Sequence, residues 1–584
     1  MHIRRTAVWG AGPTLLWRTA LTALLLCGIG LLPWLSRTDP ALTVLKARSA
    51  EREPTPEVLA AVRAELGLDA GPLRLLGRWL GGLADGDAGR SWISGADVLP
   101  AVTRATGASL LLMGGALVVA VTVAGALCAR TLRAGARRKP HGHRSRGGAA
   151  LLAALPEFLT ASVLATVVGV HLGWLPALGW YGPRWIVLPA LALGLPAGAL
   201  LGRLLDDLLP GAYAEPWARS ATARGLPGRR IAYQALRRSV PGLLPNLGLF
   251  VVGLTGGAVA VEQIFDIPGL GRTTLQAALA QDLPVLQTGT LALLLLAAVT
   301  GGAARLAARL LTGPALRDGA LPTLHRPAPT APGRALPALF YAAVLLAVIA
   351  CGLPRDPLAL DTSDRLQPPS WAHPFGTDAL GRDLLARIAH GAFDTLALAL
   401  AISATALLTG VLLGLLPRFS GPLVDTVNAL PPVLVALLVT AVAGSGPWTP
   451  ALAVAAVAWA PLAAHTAALL HQERATTHVL ATRALGAGRR HVLRRTLLPA
   501  VVPAVTRHAL LRLPAVALAL AALGFLGLGS QPPSPEWGLL LAENQPYAER
   551  APWAVLTPAA VLAVVGALAV TATSLRRPRR DPGA

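Results

Sequence analysis

The sequence predicts an all-α polytopic membrane protein of about twelve transmembrane helices, arranged as two parallel six-helix halves. Three observations predict it. Apolar residues gather into runs of about twenty, basic residues collect in alternate loops, and the second half repeats the layout of the first. Of 584 residues, 54% are apolar and only 14% charged, whereas a soluble chain of this length divides into several domains with more charge. About twenty apolar residues cross a hydrocarbon core of roughly 30 Å. The net charge of +22 would suggest nucleic acid in a soluble protein; here it reads as arginines on the cytoplasmic side of a membrane, with no nucleic-acid partner. Cys27, Cys128 and Cys351 lie in or beside apolar runs and read as small buried residues, not as a disulfide framework.

Taken in order, the spans fall near 14–35, 108–129, 149–170, 185–205, 243–261 and 286–311, then near 335–353, 394–416, 423–443, 450–470, 504–528 and 553–573. The first is read as a retained span, in preference to a cleaved signal peptide or a twin-arginine export signal at Arg4-Arg5, because its apolar part is long and no small-residue cleavage site follows. The loop 130–146 carries seven Arg/Lys and no acid. The N-terminus and the closing LRRPRRDPGA are also basic. Loop 36–106 is mixed, and 530–551 holds Glu536, Glu543 and Glu549 against Arg550. The basic loops therefore face the cytoplasm, and both chain ends lie inside.

The halves, 1–312 and 335–584, are joined by a polar, Pro-rich cytoplasmic linker at 313–334. Each has a large outer loop after its first span and a basic segment between its fourth and fifth. In the first half that segment is EPWARSATARGLPGRRIAYQALRRSVPG (215–242); in the second it lies within 481–500, ATRALGAGRRHVLRRTLLPA. Six positions after Gly225 and Gly486 come Ile231 and Val492, with Arg229 and Arg230 or Arg489 and Arg490 close by. Six spans return each half to the cytoplasm, so the repeats are parallel and not inverted. In 481–500, Ala484, Leu485, Val492, Leu493 and Leu497 recur at helical spacing, so one side can pack on the membrane domain. Gly486 permits a turn between two short helices, and Pro499 marks the entry to the next span. Taken alone, such a segment is equally a positive-inside loop lying on headgroups; its counterpart in the other half favours a docking element.

A short helix, a glycine and a second helix between late spans resemble the "EAA loop" of ABC importer membrane subunits. Ala221, Ala223 and Gly225, with Ala481, Arg483 and Gly486, fall within the resembling segments. Other stretches narrow the resemblance to the dipeptide/oligopeptide/nickel class. RAELGLDAGPLRLLGRWLGGLADGDAGRS (63–91) and GGAVAVEQIFDIPGLGRTTLQAALAQDLPVLQ (256–287), with Pro268, Gly269 and Gly271, resemble its first permease. HPFGTDALGRDLLARIAHGA (373–392), DTVNALPPVLVALL (425–438) and LGFLGLGSQPPSPEWGLLLAE (523–543) resemble its second. The likeness covers nearly the whole chain and implies a type I ABC importer permease fold with two usually separate subunits fused. It also implies two cytoplasmic ATPase domains that hold the glycine loops, an extracytoplasmic solute-binding protein, and a bacterial cell membrane location. The glutamate that names the loop is missing: Ser220 and Leu480 precede Ala221 and Ala481. Arg507 and Arg512 stand where uncharged residues are expected.

In GTDALGRD (Gly376, Thr377, Asp378, Gly381, Arg382, Asp383) the two aspartates fit no metal-ligand spacing. The expectation is that Asp378 caps a short helix entering the second span, with Arg382 and Asp383 in local ion pairs. SQPPSPEWG, with Pro535, Trp537 and Gly538, reads as a rigid outer gate or receptor-facing turn, as does FDIPGLG. Glu157, His465 and Arg512 are the ionisable residues at membrane depth; Glu157 sits near a span end, and Arg512 is read as pairing across helices in preference to lining the pathway. The only lysines, Lys46 and Lys139, lie in no Gly-x-x-x-x-Gly-Lys-Ser/Thr loop, so ATP is expected on partner subunits, with no catalytic, metal or cofactor site here. The expected function is inward transport of a peptide or related solute by alternating access. A secondary transporter predicts inverted repeats and a chain of embedded acids, which the sequence lacks. A non-transporting scaffold or receptor subunit predicts no stimulation of a partner ATPase. Dipeptide, oligopeptide, nickel chelate and opine-like cargo all fit.

Overall fold

The computed structural model describes residues 20, 23–36, 39–48, 53–137, 147–243, 256–312, 335–428 and 430–573. The expectations for Arg4-Arg5, residues 14–19, most of the 243–261 span, the tip of the loop 130–146, the linker 313–334 and the basic C-terminal tail lie outside the described residues. Among the described residues every regular element is helical; Arg90 with Asp97, and Thr377 with Asp383, form isolated bridges.

Three helices build the first outer loop: α1 (Pro40–Arg48), α2 (Pro56–Leu66) and α3 (Pro72–Asp85). Proline opens each one, where the missing N–H costs nothing, and Gly67 and Gly86 close the second and third with positive φ. The first half continues with α4 (Val98–Ala136), α5 (Gly147–Leu152), α6 (Glu157–Leu164), α7 (Pro183–Ala214), α8 (Pro216–Ala223), α9 (Gly228–Ser239), α10 (Leu270–Leu279) and α11 (Leu283–Thr312). The second comprises α12 (Ala335–Gly352), α13 (Leu384–Gly414), α14 (Pro417–Asn428), α15 (Pro432–Ala443), α16 (Thr449–Arg474), α17 (Thr477–Ala484), α18 (Arg489–His491), α19 (Leu498–Phe525), α20 (Trp537–Asn544) and α21 (Pro552–Thr573).

Among the described residues, seven helices are long and apolar enough to cross a membrane, and they coincide with seven of the expected spans. Shorter apolar helices at Glu157–His171 and Leu336–Gly352 occupy two more. The third span of each half is interrupted, which the pattern of apolar residues did not reveal. In the second half α14 and α15 meet at 94° across Pro431-Pro432. In the first, α5 gives way to α6 at Pro156, and the helix then widens into π-type turns from Ala165 to His171. Proline cannot donate to the preceding turn, so each break falls where a backbone bond is already missing.

The described chain forms two compact units, and each draws on both sequence halves. One comprises Met1–Thr103, Thr273–Leu291 and His390–Ala542; the other comprises Arg104–Arg272, Ala292–Ala389 and Glu543–Ala584. In the first unit α16 packs between α14, α15 and α19. In the second α6, α5 and α9 surround α7, and α12 packs along α21.

Glycine sets the closest helix approaches in both units. On α7, Gly194, Gly198 and Gly202 form a stripe at four-residue spacing against α4. A Cβ on Gly198 would stand 2.6 Å from the Ala120 carbonyl oxygen, and one on Gly194 would stand 2.5 Å from Val119 Cβ. In the other unit Gly410 and Gly414 of α13 press on α16, where added Cβ atoms would stand 2.7 Å from Leu462 Cβ and 2.5 Å from Thr466 Cβ. In lipid, tails are as apolar as leucine, so association rests on such close packing and not on the hydrophobic effect. Gly198→Leu should therefore destabilise the detergent-solubilised or nanodisc-embedded chain by about 1–3 kcal/mol or more. Gly125→Ala, at a helical site with open space within 4 Å, should be neutral or mildly stabilising. Thermal unfolding monitored by tryptophan fluorescence compares the two.

Candidate coupling loops and outer re-entrant segments

The two basic segments fold alike. In the first half α8 ends at Arg224, Gly225 takes φ +75°, and the chain turns into α9. Gly225 N donates to Thr222 O at 3.0 Å, and Leu226 N to Ala221 O at 3.1 Å. In the second, α17 ends at Leu485, and Gly486 takes φ +86°. Gly486 N donates to Arg483 O at 2.9 Å, and Ala487 N to Thr482 O at 3.2 Å. The left-handed conformation is what glycine permits and a side chain strains. This bonding fixes the register: Thr482, and not Ala481, is the counterpart of Ala221, and Ala481 is the counterpart of Ser220. Burial agrees, because Ala221 is covered while Ala481 is exposed.

Ile231 and Val492 are both buried, as their matching positions predict. Val492 joins Val479, Leu497, Val501 and Val505 in an apolar cluster that ties the loop to α16 and α19. In the first half Ala235 packs with Cys128, Leu205 and Leu209, with Leu236 and Trp217 alongside. Arg238 lies 5.3 Å from the Trp217 ring and pairs with Glu215 at 3.1 Å. Arg229, Arg230, Arg483, Arg489 and Arg490 are exposed, as are Ala223, Leu485 and Pro499. Each loop thus buries an apolar underside and presents arginines outwards. Pro499 stands in the first turn of α19, at the expected entry to the span, although α18, the π-type turns of Val492–Leu497 and α19 run on as one helix from Arg489 to Phe525. The wider turns precede the proline, where a regular helix loses a hydrogen bond.

GTDALGRD is held by charge. Asp378 Oδ1 accepts N–H groups of Leu380 (2.8 Å) and Arg382 (3.0 Å), closing a turn around Gly381. Its Oδ2 accepts Arg382 Nε at 2.7 Å and the Arg387 guanidinium at 2.8 Å. Both arginines reach Glu543, at 3.3 and 2.8 Å. Arg387 is fully buried, so two carboxylates surround it in place of water. Asp378 is therefore not the cap of the span helix. That cap is Asp383, whose Oδ1 accepts Leu385 N at 2.8 Å while Oδ2 pairs with Arg355 at 2.6 Å. Nor are the pairs only local, since Glu543 lies 161 residues from Arg382. Gly376 (φ +78°) and Gly381 (φ +77°) admit close backbone: a Cβ on Gly381 would meet Asp361 O at 1.6 Å. Thr377 is fully buried, and its hydroxyl accepts Gln367 N at 2.8 Å.

Each half also carries one buried glutamate at the short helix that follows its fifth span. Glu262 accepts Ser109 Oγ at 2.5 Å and the Arg272 N–H at 2.9 Å, capping α10. Gly269 and Gly271 press on this carboxylate, and Pro268 precedes them. Glu536 accepts the N–H groups of Gly538 and Leu539, both at 2.9 Å, capping α20. Trp537 is buried, a Cβ on Gly538 would stand 1.8 Å from Ala521 O, and the Pro535 carbonyl lies against Gly391. Burial pushes both carboxyl groups up, each to about 7, against the pull of their backbone donors. Sequence reasoning missed this role; the available signal was an acid beside a glycine-rich turn just outside each fifth span. Also unforeseen, Ser91 Oγ and Trp92 N both donate to Asp282, fastening the first outer loop to the start of α11.

The ionisable residues singled out at membrane depth are not brought into one site. Glu157 opens α6 beside Gly257 in one unit. His465 and Arg512 lie in the other, where His465 stacks on His508. The expected pairing of Arg512 across helices to an acid is absent among the described residues.

Residues 122–313 and 402–581 each match the family model described as the binding-protein-dependent transport system inner membrane component. The di/tripeptide transport system permease protein DppC of Pseudomonas aeruginosa is 37% identical over 225 residues, 35% of this chain and 74% of the relative. A putative peptide transport system permease protein of Brucella abortus is 31% identical over 260 residues, 43% of this chain and 80% of the relative. A putative peptide permease protein of Brucella suis is 35% identical over 199 residues, 32% of this chain and 65% of the relative. Each relative matches less than half of this chain, whereas the family model matches it twice.

Two predictions follow the geometry. Arg387→Met removes one of the two buried guanidinium groups and leaves Arg382 alone to balance Asp378 and Glu543, which should destabilise the fold by about 3–5 kcal/mol, read as a lowered unfolding midpoint. For Glu262 and Glu536 the folded pKa is raised, so their stabilisation is complete below about pH 4.5 and is lost as pH rises through 7. The midpoint should fall between pH 5.5 and 8 by an amount on the order of 3 kcal/mol per carboxyl at most. The Glu262→Gln/Glu536→Gln chain should show a much flatter profile over that range.

Proposed function

The chain belongs to the family of binding-protein-dependent transport inner membrane components, the ABC importer permeases, and from that premise we propose how its parts divide the work. Halves 1–312 and 335–584 act as two permease subunits joined by the cytoplasmic linker 313–334. Two ATPase domains on separate chains bind ATP and grip the loops around Gly225 and Gly486; no cofactor is held by this chain. An extracytoplasmic binding protein delivers the solute to the outer loops. The relatives' names and the fused pair of permease-like halves support a peptide as cargo. Both chain ends lie in the cytoplasm, as the basic loops argue.

The observation that carries this reading is the matched pair of loops. Two segments 261 positions apart adopt the same helix, left-handed glycine and helix, bury the same apolar position, and expose arginines on the far side. Bilayer headgroups would attract the arginines but would not select one turn geometry twice; a rigid protein partner would. ATP shifts the transporter only if the ATPases bind its two states unequally, and rigid loops are the means of transmitting that difference.

Reconstitution of the chain with its ATPase subunits and binding protein tests the reading. ATP-driven uptake of a labelled dipeptide is expected, with turnover stimulated by the loaded binding protein. Gly486→Val, which forces a β-branched residue into φ +86°, should lower uptake at least about tenfold and weaken ATPase retention while leaving membrane insertion intact. Normal uptake by this variant sinks the docking role.

A further inference from the structure

The membrane interior of one unit holds a basic cluster that the transport mechanism above does not use. His465 on α16 and His508 on α19 stack with ring centroids 4.6 Å apart and planes tilted by 34°. Arg512 stands one helical turn beyond His508 on the same side of α19. All three are half-buried, and among the described residues none has a hydrogen bond or an ion pair. The stretches Thr449–Gln472 and Leu498–Phe525 contain no aspartate or glutamate. Glu473, at the end of α16, is eight residues beyond His465, and Asp425 on the packed α14 has its own interactions.

Position along the helix excludes an interfacial charge. Arg512 lies about 20 Å from either end of α19 at 1.5 Å per residue. A guanidinium at that depth does not face hydrocarbon alone; it meets water in a cavity or a counter-ion. It is not on the outward stripe of α19 either. Arg507 and Leu510 are exposed there, whereas His508 and Arg512 turn towards the side of Val501, Val505 and Ala509, which faces α16. Chemically, the cluster is a donor set without an acceptor. Guanidinium offers two parallel N–H groups matched to a carboxylate, and each neutral imidazole offers one N–H more.

We propose that His465, His508 and Arg512 form an oxyanion site within the membrane that takes the carboxylate of the transported solute. This rests on the reading of the chain as a peptide permease. A peptide in transit brings one terminal carboxylate, the acceptor that this donor set lacks. The phosphate of an anionic lipid offers similar oxygens, and the test below separates the two sources.

The test uses the chain with its ATPase subunits in phosphatidylcholine nanodiscs, without binding protein. Equilibrium binding of radiolabelled alanylalanine is compared with that of its C-terminal amide. The free acid is expected to saturate the site and the amide to bind at least about tenfold more weakly. Arg512→Gln should weaken acid binding at least about tenfold and erase the difference from the amide. Arg512→Lys, which keeps the charge, should restore part of the binding and guards against a folding defect. His465→Gln/His508→Gln should give a smaller loss, about threefold. Absence of saturable binding to the unaltered chain, equal binding of acid and amide, or undiminished binding by Arg512→Gln overturns the inference. Retention of phosphatidylglycerol that depends on Arg512 and displaces alanylalanine assigns the site to lipid and overturns it as well. ATP-driven uptake with binding protein is measured in parallel. If the unaltered chain takes up dipeptide while these results fail, only the oxyanion site falls; if it does not, the peptide-permease reading falls on its own evidence.

Discussion

Inside a bilayer no water is available to satisfy a polar group, so every break in a helix and every charge must find its partner within the protein. The architecture is organised by that constraint. Where Pro156 and Pro431-Pro432 interrupt the third spans, the break coincides with the missing proline N–H. Where the short helices α10 and α20 begin, a buried glutamate supplies the capping oxygen. Where a guanidinium is fully enclosed, at Arg387, two carboxylates enclose it. Helices stripped of hydrophobic driving force then meet through glycine, at Gly194, Gly198 and Gly202 on one unit and at Gly410 and Gly414 on the other.

These devices occur in pairs, although their residues differ. Glu262 precedes its helix by eight residues and reaches back through Ser109, whereas Glu536 stands immediately before Trp537 and caps α20 directly. The glycines lie on the fourth span in the first half and on the second span in the second. A repeat therefore preserves the physical task, a close approach or a capped amide, more faithfully than the residue that performs it. The two glycine loops are the exception: turn, glycine and buried β-branched residue coincide.

Much of this was legible in the amino acids. Apolar runs marked the spans because length and composition alone decide whether a helix crosses. Glycine followed six positions later by a buried Ile231 or Val492 marked the loops because a left-handed turn and an apolar underside leave traces in sequence. What escaped was set by distant partners. Nothing local distinguishes Asp378 from Asp383 as a cap; the arginine on α13 and Glu543 decide it. The one-residue register of Ala221 with Thr482 depended on which carbonyl accepts the turn's N–H. The broken third spans read as continuous because proline interrupts hydrogen bonding without interrupting hydrophobicity.

The two loops differ in one respect that bears on how a pull would travel. After the first, α9 ends at Ser239 and a 3-10 turn at Val240–Leu243 intervenes. After the second, the helix continues without a break from Arg489 through the π-type turns to Phe525. A displacement of the second loop is therefore carried along one rigid element past His508 and Arg512 to the outer end, where α20 folds back. A continuous rod transmits translation and rotation, and a turn dissipates them into local dihedrals. The π-type segment is the natural place for that rod to yield, because its wider hydrogen bonds leave the register one residue from a regular helix. A shift between the two registers rotates everything beyond Pro499 by about 100° per residue of slip, given 3.6 residues per turn. It would turn Arg512 towards or away from α16. Under the proposed roles, coupling at the glycine loop and access to the basic cluster would both follow from one helix's register.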